Sequence, residues 1–187
     1  MEGGSTVELA EARALVKDKT EKDITVRHLI SVEGVMRALA RRFGQDEERW
    51  ALAGLFHDLD QDQTGEDLSR HAFLAAGWLR EAGVEEPVVN AVLAHAHEQY
   101  RTDLMSQAVV HADAIAGLLV AAALVRPQRS DGMKVSSVKK KLKEKAFAPG
   151  VNRAEVYEAE ESLGLPLDEF IAAAIEGVQQ VAPEIGL

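Results

Sequence analysis

Apolar residues in this chain recur at three- and four-residue spacing, while runs that alternate β-branched with polar residues do not appear. That period is the turn of an α-helix, and it leaves little with which to build a half-buried strand. The stripe Leu29, Val32, Val35, Met36, Leu39 and Phe43 is the clearest case, falling on one face of one helix. The expected fold is therefore all-α. With 47% apolar residues in 187, the chain can bury a sizeable core within one globular domain, which excludes disorder.

Punctuation residues divide the chain. Ser5 or Thr6 is expected to cap a first helix reaching about Lys17, and Thr20 or Asp23 a longer one ending at Phe43 before Gly44. Asp46 opens a third helix that runs to His57-Asp58, after which QDQTGED reads as a surface loop. A fourth helix spans about 68–82 and stops at Gly83, and Glu85, Glu86 and Pro87 start a fifth that reaches His95 or His97. The sixth runs from Leu104 to about Val125. Its apolar run from Ala114 is about a dozen residues, short of the roughly 20 needed to span a bilayer, so it reads as a buried core helix. Beyond it come the loop RPQRSDGMK, a short basic helix SSVKKKLKEK capped by Ser136, the loop AFAPGVN, and closing helices at about 153–163 and 167–181.

The 21 basic against 31 acidic residues, a net charge of -10, disfavour strong nucleic-acid binding and attachment to anionic membrane. Without cysteine there is no disulfide, thiolate site or cysteine nucleophile, so a metal must sit on His, Asp and Glu. The opening MEGGSTVELAEAR lacks the pattern of a signal peptide, and a cytoplasmic protein starting near Met1 is expected.

Six histidines, at 28, 57, 71, 95, 97 and 111, are the chemistry-bearing residues, with His57-Asp58 at the end of an apolar helix. Imidazoles and carboxylates together suit Zn, Mn, Fe, Ni or Co, with Mg possible, and a carboxylate can bridge two ions. The order His28, His57-Asp58, His71, His95, Asp113 on successive helical segments resembles the HD superfamily of metal-dependent phosphohydrolases. The resemblance spans roughly 25–125, with the remaining basic and C-terminal helices at about 126–187 added to that core. RHLISVEGVMRALARRFG, LAGLFHDLDQ, RHAFLAAGWLR, AVLAHAHE and VVHADAIAGLLVA are similar to its HDIG-type hydrolase branch.

The resemblance implies an HD-domain helical bundle in which His28, His57, Asp58 and Asp113 bind a first divalent ion. His71 and His95, sharing Asp58, would bind a second. It implies hydrolysis of a phosphoester, of a nucleotide or related small metabolite, by metal-activated water. A mixed-valent diiron oxygenase and a non-catalytic nucleotide- or metal-binding module are the alternatives. The chain reads HDLD where the HDIG form has glycine, placing Asp60 at that position and Gln61 after it.

Other polar groups receive separate readings. Asp60 can orient attacking water or protonate a leaving oxygen, whereas Asp62 reads as part of a solvated loop. Two-residue spacing turns a helix by about 200°, so His95 and His97 share a site only if the helix ends between them. His95 is favoured as the ligand, with His97 on the substrate side or behind it. His111 should point away from Asp113, and Glu33 is a poor ligand because of its angle from His28. Lys139, Lys140 and Lys143 are candidates for binding a substrate phosphate.

Overall fold

The computed structural model describes residues 7–187, and every regular element among them is a helix, as expected. The Ser5 or Thr6 cap lies outside the described residues. Helix α1 is Leu9–Lys19, and α2 is Asp23–Phe43, ending on Gly44 at φ 64. Neither Thr20 nor Asp23 caps α2, because Thr20 closes α1 and Asp23 is already helical. Asp46 does cap α3 (Glu47–Phe56), accepting the Arg49 N–H at 3.0 Å.

QDQTGED is not simply a loop, since α4 (Gln61–Thr64) occupies its first turn. Helix α5 is Phe73–Glu81 and begins later than the expected residue 68, Leu68 itself being exposed. The delay follows from Ala72, whose backbone sits at φ 65 and breaks any helix running into α5. Helix α6 (Glu86–Ala96) ends between His95 and His97, and a short 3₁₀ turn follows at Glu98–Tyr100.

Helix α7 is Leu104–Leu124, at 21 residues longer than the apolar run from Ala114 suggests, and by length and composition it could cross a membrane. It is nevertheless two-thirds buried within the fold, which fits the reading as a core helix. Helices α8 (Val135–Lys143), α9 (Arg153–Leu163) and α10 (Leu167–Ile185) complete the order. Ser136 is inside α8 rather than its cap. The last helix runs past the expected Val181 and through Pro183.

Helix α2 is central, packed most extensively on α10 and α3 and also against α7. Its contacts with α10 and α3 bring backbone against backbone. A Cβ on Gly34 would stand 2.4 Å from the Gly177 carbonyl oxygen of α10, and one on Gly54 of α3 would stand 2.7 Å from that of Val32. Phe170, Ile171, Ala174, Ile175 and Val178 of α10 are buried in the same core as Leu29, Val32 and Met36. Gly177→Ala is therefore expected to lower stability by about 1–3 kcal/mol in urea or thermal unfolding, since neither backbone can yield without shifting its helix.

Glu33, two per cent exposed, pairs with Arg13 at 2.6 Å and with Arg37 at 3.7 Å, fastening α1 to α2. Burial outweighs both guanidiniums and pushes its carboxyl up from 4.5 to about 6. The unfolded chain thus loses this proton first as pH rises, and stability contributed by the protonated form disappears across that interval, by roughly 2 kcal/mol. Measured by urea unfolding, wild-type stability relative to Glu33→Gln should fall by that amount between about pH 4 and pH 7.5. A constant difference would place the Glu33 carboxyl at its ordinary value.

Candidate metal centre

Six side chains converge from five stretches of chain. His28 comes from the second turn of α2, His57 and Asp58 follow α3, His71 lies in the turn before α5, His95 in the last turn of α6, and Asp113 within α7. His28 Nε2 is 3.2 Å from His57 Nε2 and 2.9 Å from Asp113 Oδ1. The two carboxylate oxygens of Asp58 face different partners. Oδ2 is 3.7 Å from His57 Nε2, while Oδ1 is 3.2 Å from His71 Nε2 and 3.3 Å from His95 Nε2. His57 is fully buried, and the centre reaches solvent mainly at His28 and Asp113, whose side chains are 28% and 29% exposed.

This donor set fits divalent cations. Asp58 Oδ1 is buried without a hydrogen-bond partner, and the histidines present Nε2 atoms inward. His57, His28 and Asp113 form one group whose ligand atoms lie within 4.8 Å of one another, and His57, Asp58 and His95 form another. Nitrogen and carboxylate donors converging without apolar separation are what a divalent transition metal requires.

Electrostatics point the same way. Burial works against a charged His57, but Asp58 and Asp113 outweigh it and hold the ring up at about 9. His71 is likewise raised to about 9, where burial is overcome by Asp58 and Asp60. His95 goes the other way, to about 4, because burial, reinforced by the neighbouring rings, exceeds the pull of Asp58. Asp58 and Asp113 are both held below the usual carboxylate range, since the histidines more than offset their burial. The field that retains protons on the rings is a field for cations, so metal binding must displace protons.

Groups behind the rings set their orientation. His57 Nδ1 donates to the Gly54 carbonyl at 2.8 Å, leaving Nε2 for the centre. His71 Nδ1 meets Asp60 Oδ1 at 2.8 Å, and Asp60 Oδ2 accepts the Ala75 N–H at 2.9 Å. Asp60 is therefore turned away from the converging donors, behind His71. It is fully buried, orients His71, and caps α5 from a distance. Asp62 departs from a solvated reading too, because its side chain is 1% exposed. It accepts the Glu21 and Lys22 N–H groups at 2.7 and 3.0 Å and the Thr25 hydroxyl at 2.8 Å, capping the helix that carries His28.

His97 falls outside the ligand cluster. Its Nε2 donates to the His71 carbonyl at 3.0 Å, and its ring lies 4.4 Å from that of Phe73, so it buttresses His71 rather than facing substrate. His111 points away as expected, donating through Nδ1 to the Glu155 carbonyl at 2.6 Å. The lysines are not brought to the centre. Lys139 pairs with Asp168 at 2.6 Å, and Lys140 and Lys143 line a separate hollow with it between α8 and α10, sharing no lining residue with the openings at His28.

Glu155, unassigned from sequence, lines a cleft of about 350 Å³ with His28, Asp113 and Asn152. Burial and the nearby Asp113 raise its carboxyl above the ordinary range. Arg153 shapes the same cleft by donating to the carbonyls of Leu142, Glu144, Phe147, Ala148 and Val151. Nothing in the local sequence marks Glu155, which lies 42 positions beyond Asp113 and meets it only through packing of α9 on α7.

Comparison with known proteins bears on this centre. The sequence model of the HD domain matches residues 25–123. Ribonuclease Y 2 of Levilactobacillus brevis is 31% identical over 90 residues, which is 48% of this chain but 17% of that protein. No solved structure gives a significant match.

Asp60→Asn is expected to weaken metal uptake on the His71 side about 10- to 100-fold while the His28 side is retained. Titration with Mn or Co monitored by calorimetry reads this directly; unchanged affinity on both sides would deny Asp60 its orienting role.

Proposed function

Since the chain belongs to the HD domain family, we propose that it is a metal-dependent hydrolase of phosphoesters acting on a nucleotide or related small phosphorylated metabolite. The observation that carries this reading is Asp58, whose Oδ2 faces His57 while its Oδ1 faces His71 and His95. His28, His57, Asp58 and Asp113 would hold one ion, and His71 and His95 a second, with Asp58 between them. Ions of the Mn, Fe, Co, Ni or Zn type suit these nitrogen and oxygen donors better than Mg. A divalent ion so bound supplies an acidified water and positive charge opposite phosphoryl oxygens.

The chain's own residues contribute position and protons. His28 and Asp113 stand at the solvent-facing mouth, so the phosphoryl group approaches from their side. Glu155, held toward its protonated form in the same cleft, is the carboxyl placed to donate to a leaving oxygen, a role that burial denies Asp60. The name of the ribonuclease relative points to an RNA phosphodiester. A net charge of -10 instead supports a small substrate, because a polyanion would be repelled over most of the surface.

The test is metal analysis of the purified protein, followed by assays of nucleotides, other small phosphoesters and an oligoribonucleotide with Mn, Co, Ni or Mg. Small esters should be hydrolysed, with or without oxygen. Asp58→Ala should lose metal and turnover together while its circular dichroism remains helical. A protein that binds no metal on titration overturns the reading, and cleavage of the oligoribonucleotide alone overturns the small-substrate assignment. Glu155→Gln should keep its metal and lose about 100- to 10,000-fold in turnover; a wild-type rate would remove it from the reaction.

A further inference from the structure

The helical stripes that deliver His28 and Asp113 do not stop at the centre. On α7 the stripe from Asp113 continues through Gly117, Val120, Ala121 and Leu124, and on α2 the face of His28 also carries Ile24, Arg27 and Ser31. Gly117 and the α2 residues, with Val120, Ala121, Leu124 and the chain's Ile185 and Leu187, line a predominantly apolar groove of about 700 Å³. His28 and Gly117 also line the cleft containing Asp113 and Glu155, so the groove and the cleft meet at His28. Gly117 has no side chain to close that junction; a Cβ there would have Val151 as its neighbour, at 3.7 Å.

The groove is exposed as well as apolar. Ile24 is 76% and Leu124 53% exposed. Its charged lining groups are Asp23 and Arg27, whose guanidinium lies near Gly186. A centre whose donors suit cations, opening onto an apolar trough, complements a molecule with an anionic head and an apolar body. Its size is in the range of small-molecule sites.

Resting on the hydrolase reading above, and narrowing its small phosphorylated metabolite to one without a polar nucleoside, we propose that the substrate is a phosphoester of an apolar alcohol, its phosphate at the His28–Asp113 mouth and its aliphatic or aromatic body in the groove. In the reaction, R–O–PO₃²⁻ and H₂O give ROH and HPO₄²⁻. The water oxygen bonds to phosphorus, the bond from phosphorus to the alkoxy oxygen breaks, Glu155 gives its proton to the departing alkoxide, and the proton lost by water restores it. The apolar product would then leave along the groove.

Hydrolysis-resistant methylphosphonate and octylphosphonate, which share a head group, test this by calorimetry on the Mn-loaded protein. Burial of methylenes predicts about three- to fourfold tighter binding for each one covered, and the octyl compound should bind about 50-fold or more tightly than the methyl one. Ala121→Trp, which fills the trough, and Leu124→Asp, which makes its rim polar, should each remove most of that advantage and leave methylphosphonate unchanged. Leu124 is exposed, so its variant keeps the test valid if Ala121→Trp does not fold. Equal affinity for the two phosphonates, absence of octylphosphonate binding, or a chain-length preference intact in the folded variants would overturn the proposal. Chain-length preference without hydrolysis of any ester would keep the groove and remove the hydrolase reading; hydrolysis without that preference would do the reverse.

Discussion

Where Gly34 of α2 crosses Gly177 of α10, and where Gly54 of α3 meets the backbone of Val32 and Glu33, there is no room for a side chain between the helices. These contacts fix how deeply α2 sits between its neighbours, and with it the place of His28, less than two turns before Gly34. Gly54 acts twice, since its carbonyl also accepts from His57 Nδ1. One crossing thus sets both the separation of α2 from α3 and the direction of the ring that follows α3. The 3.2 Å approach of His28 and His57 follows from that packing.

The segment HDLDQD places three carboxylates at alternate positions, and each goes to a different neighbour. Asp58 turns into the centre, Asp60 to His71 and the start of α5, and Asp62 to the start of α2. Two of the three cap helices from outside those helices, a non-local version of the bond that Ser, Asp or Asn makes within its own chain segment. The caps tie the turn bearing Asp58 to the helices or turns bearing His28 and His71. A single short segment consequently supplies a proposed ligand and positions the elements that carry two others.

Charge balance explains how so polar a cluster is tolerated in a largely apolar interior. Asp58 and Asp113 stay ionised because imidazoles surround them, and His57 and His71 hold protons because the carboxylates do. The groups compensate one another's desolvation, and bound cations would take over that compensation as protons depart. The openings at His28 give the cleft and the apolar groove a shared approach to the cluster.

Helical periodicity, the Gly44 stop, the Asp46 cap, the α9 boundaries and the start of α10 were legible in sequence because each depends on neighbours within a turn or two. The order of His28, His57-Asp58, His71, His95 and Asp113 was legible as a family resemblance, and the HD domain match covers it. Helix α6 does end between His95 and His97, which local geometry required for both rings to face one site, yet His97 turns to the His71 carbonyl instead. Asp60, Asp62, Glu155 and the lysines were not legible in this way. A carboxylate in a polar segment looks the same whether it faces water or caps a distant helix, and a lysine run does not state which cavity it borders. Sequence determined which residues could carry the chemistry, through local spacing and side-chain type; tertiary structure decided which of them meet, because hydrogen bonds and burial between remote segments depend on how the helices cross.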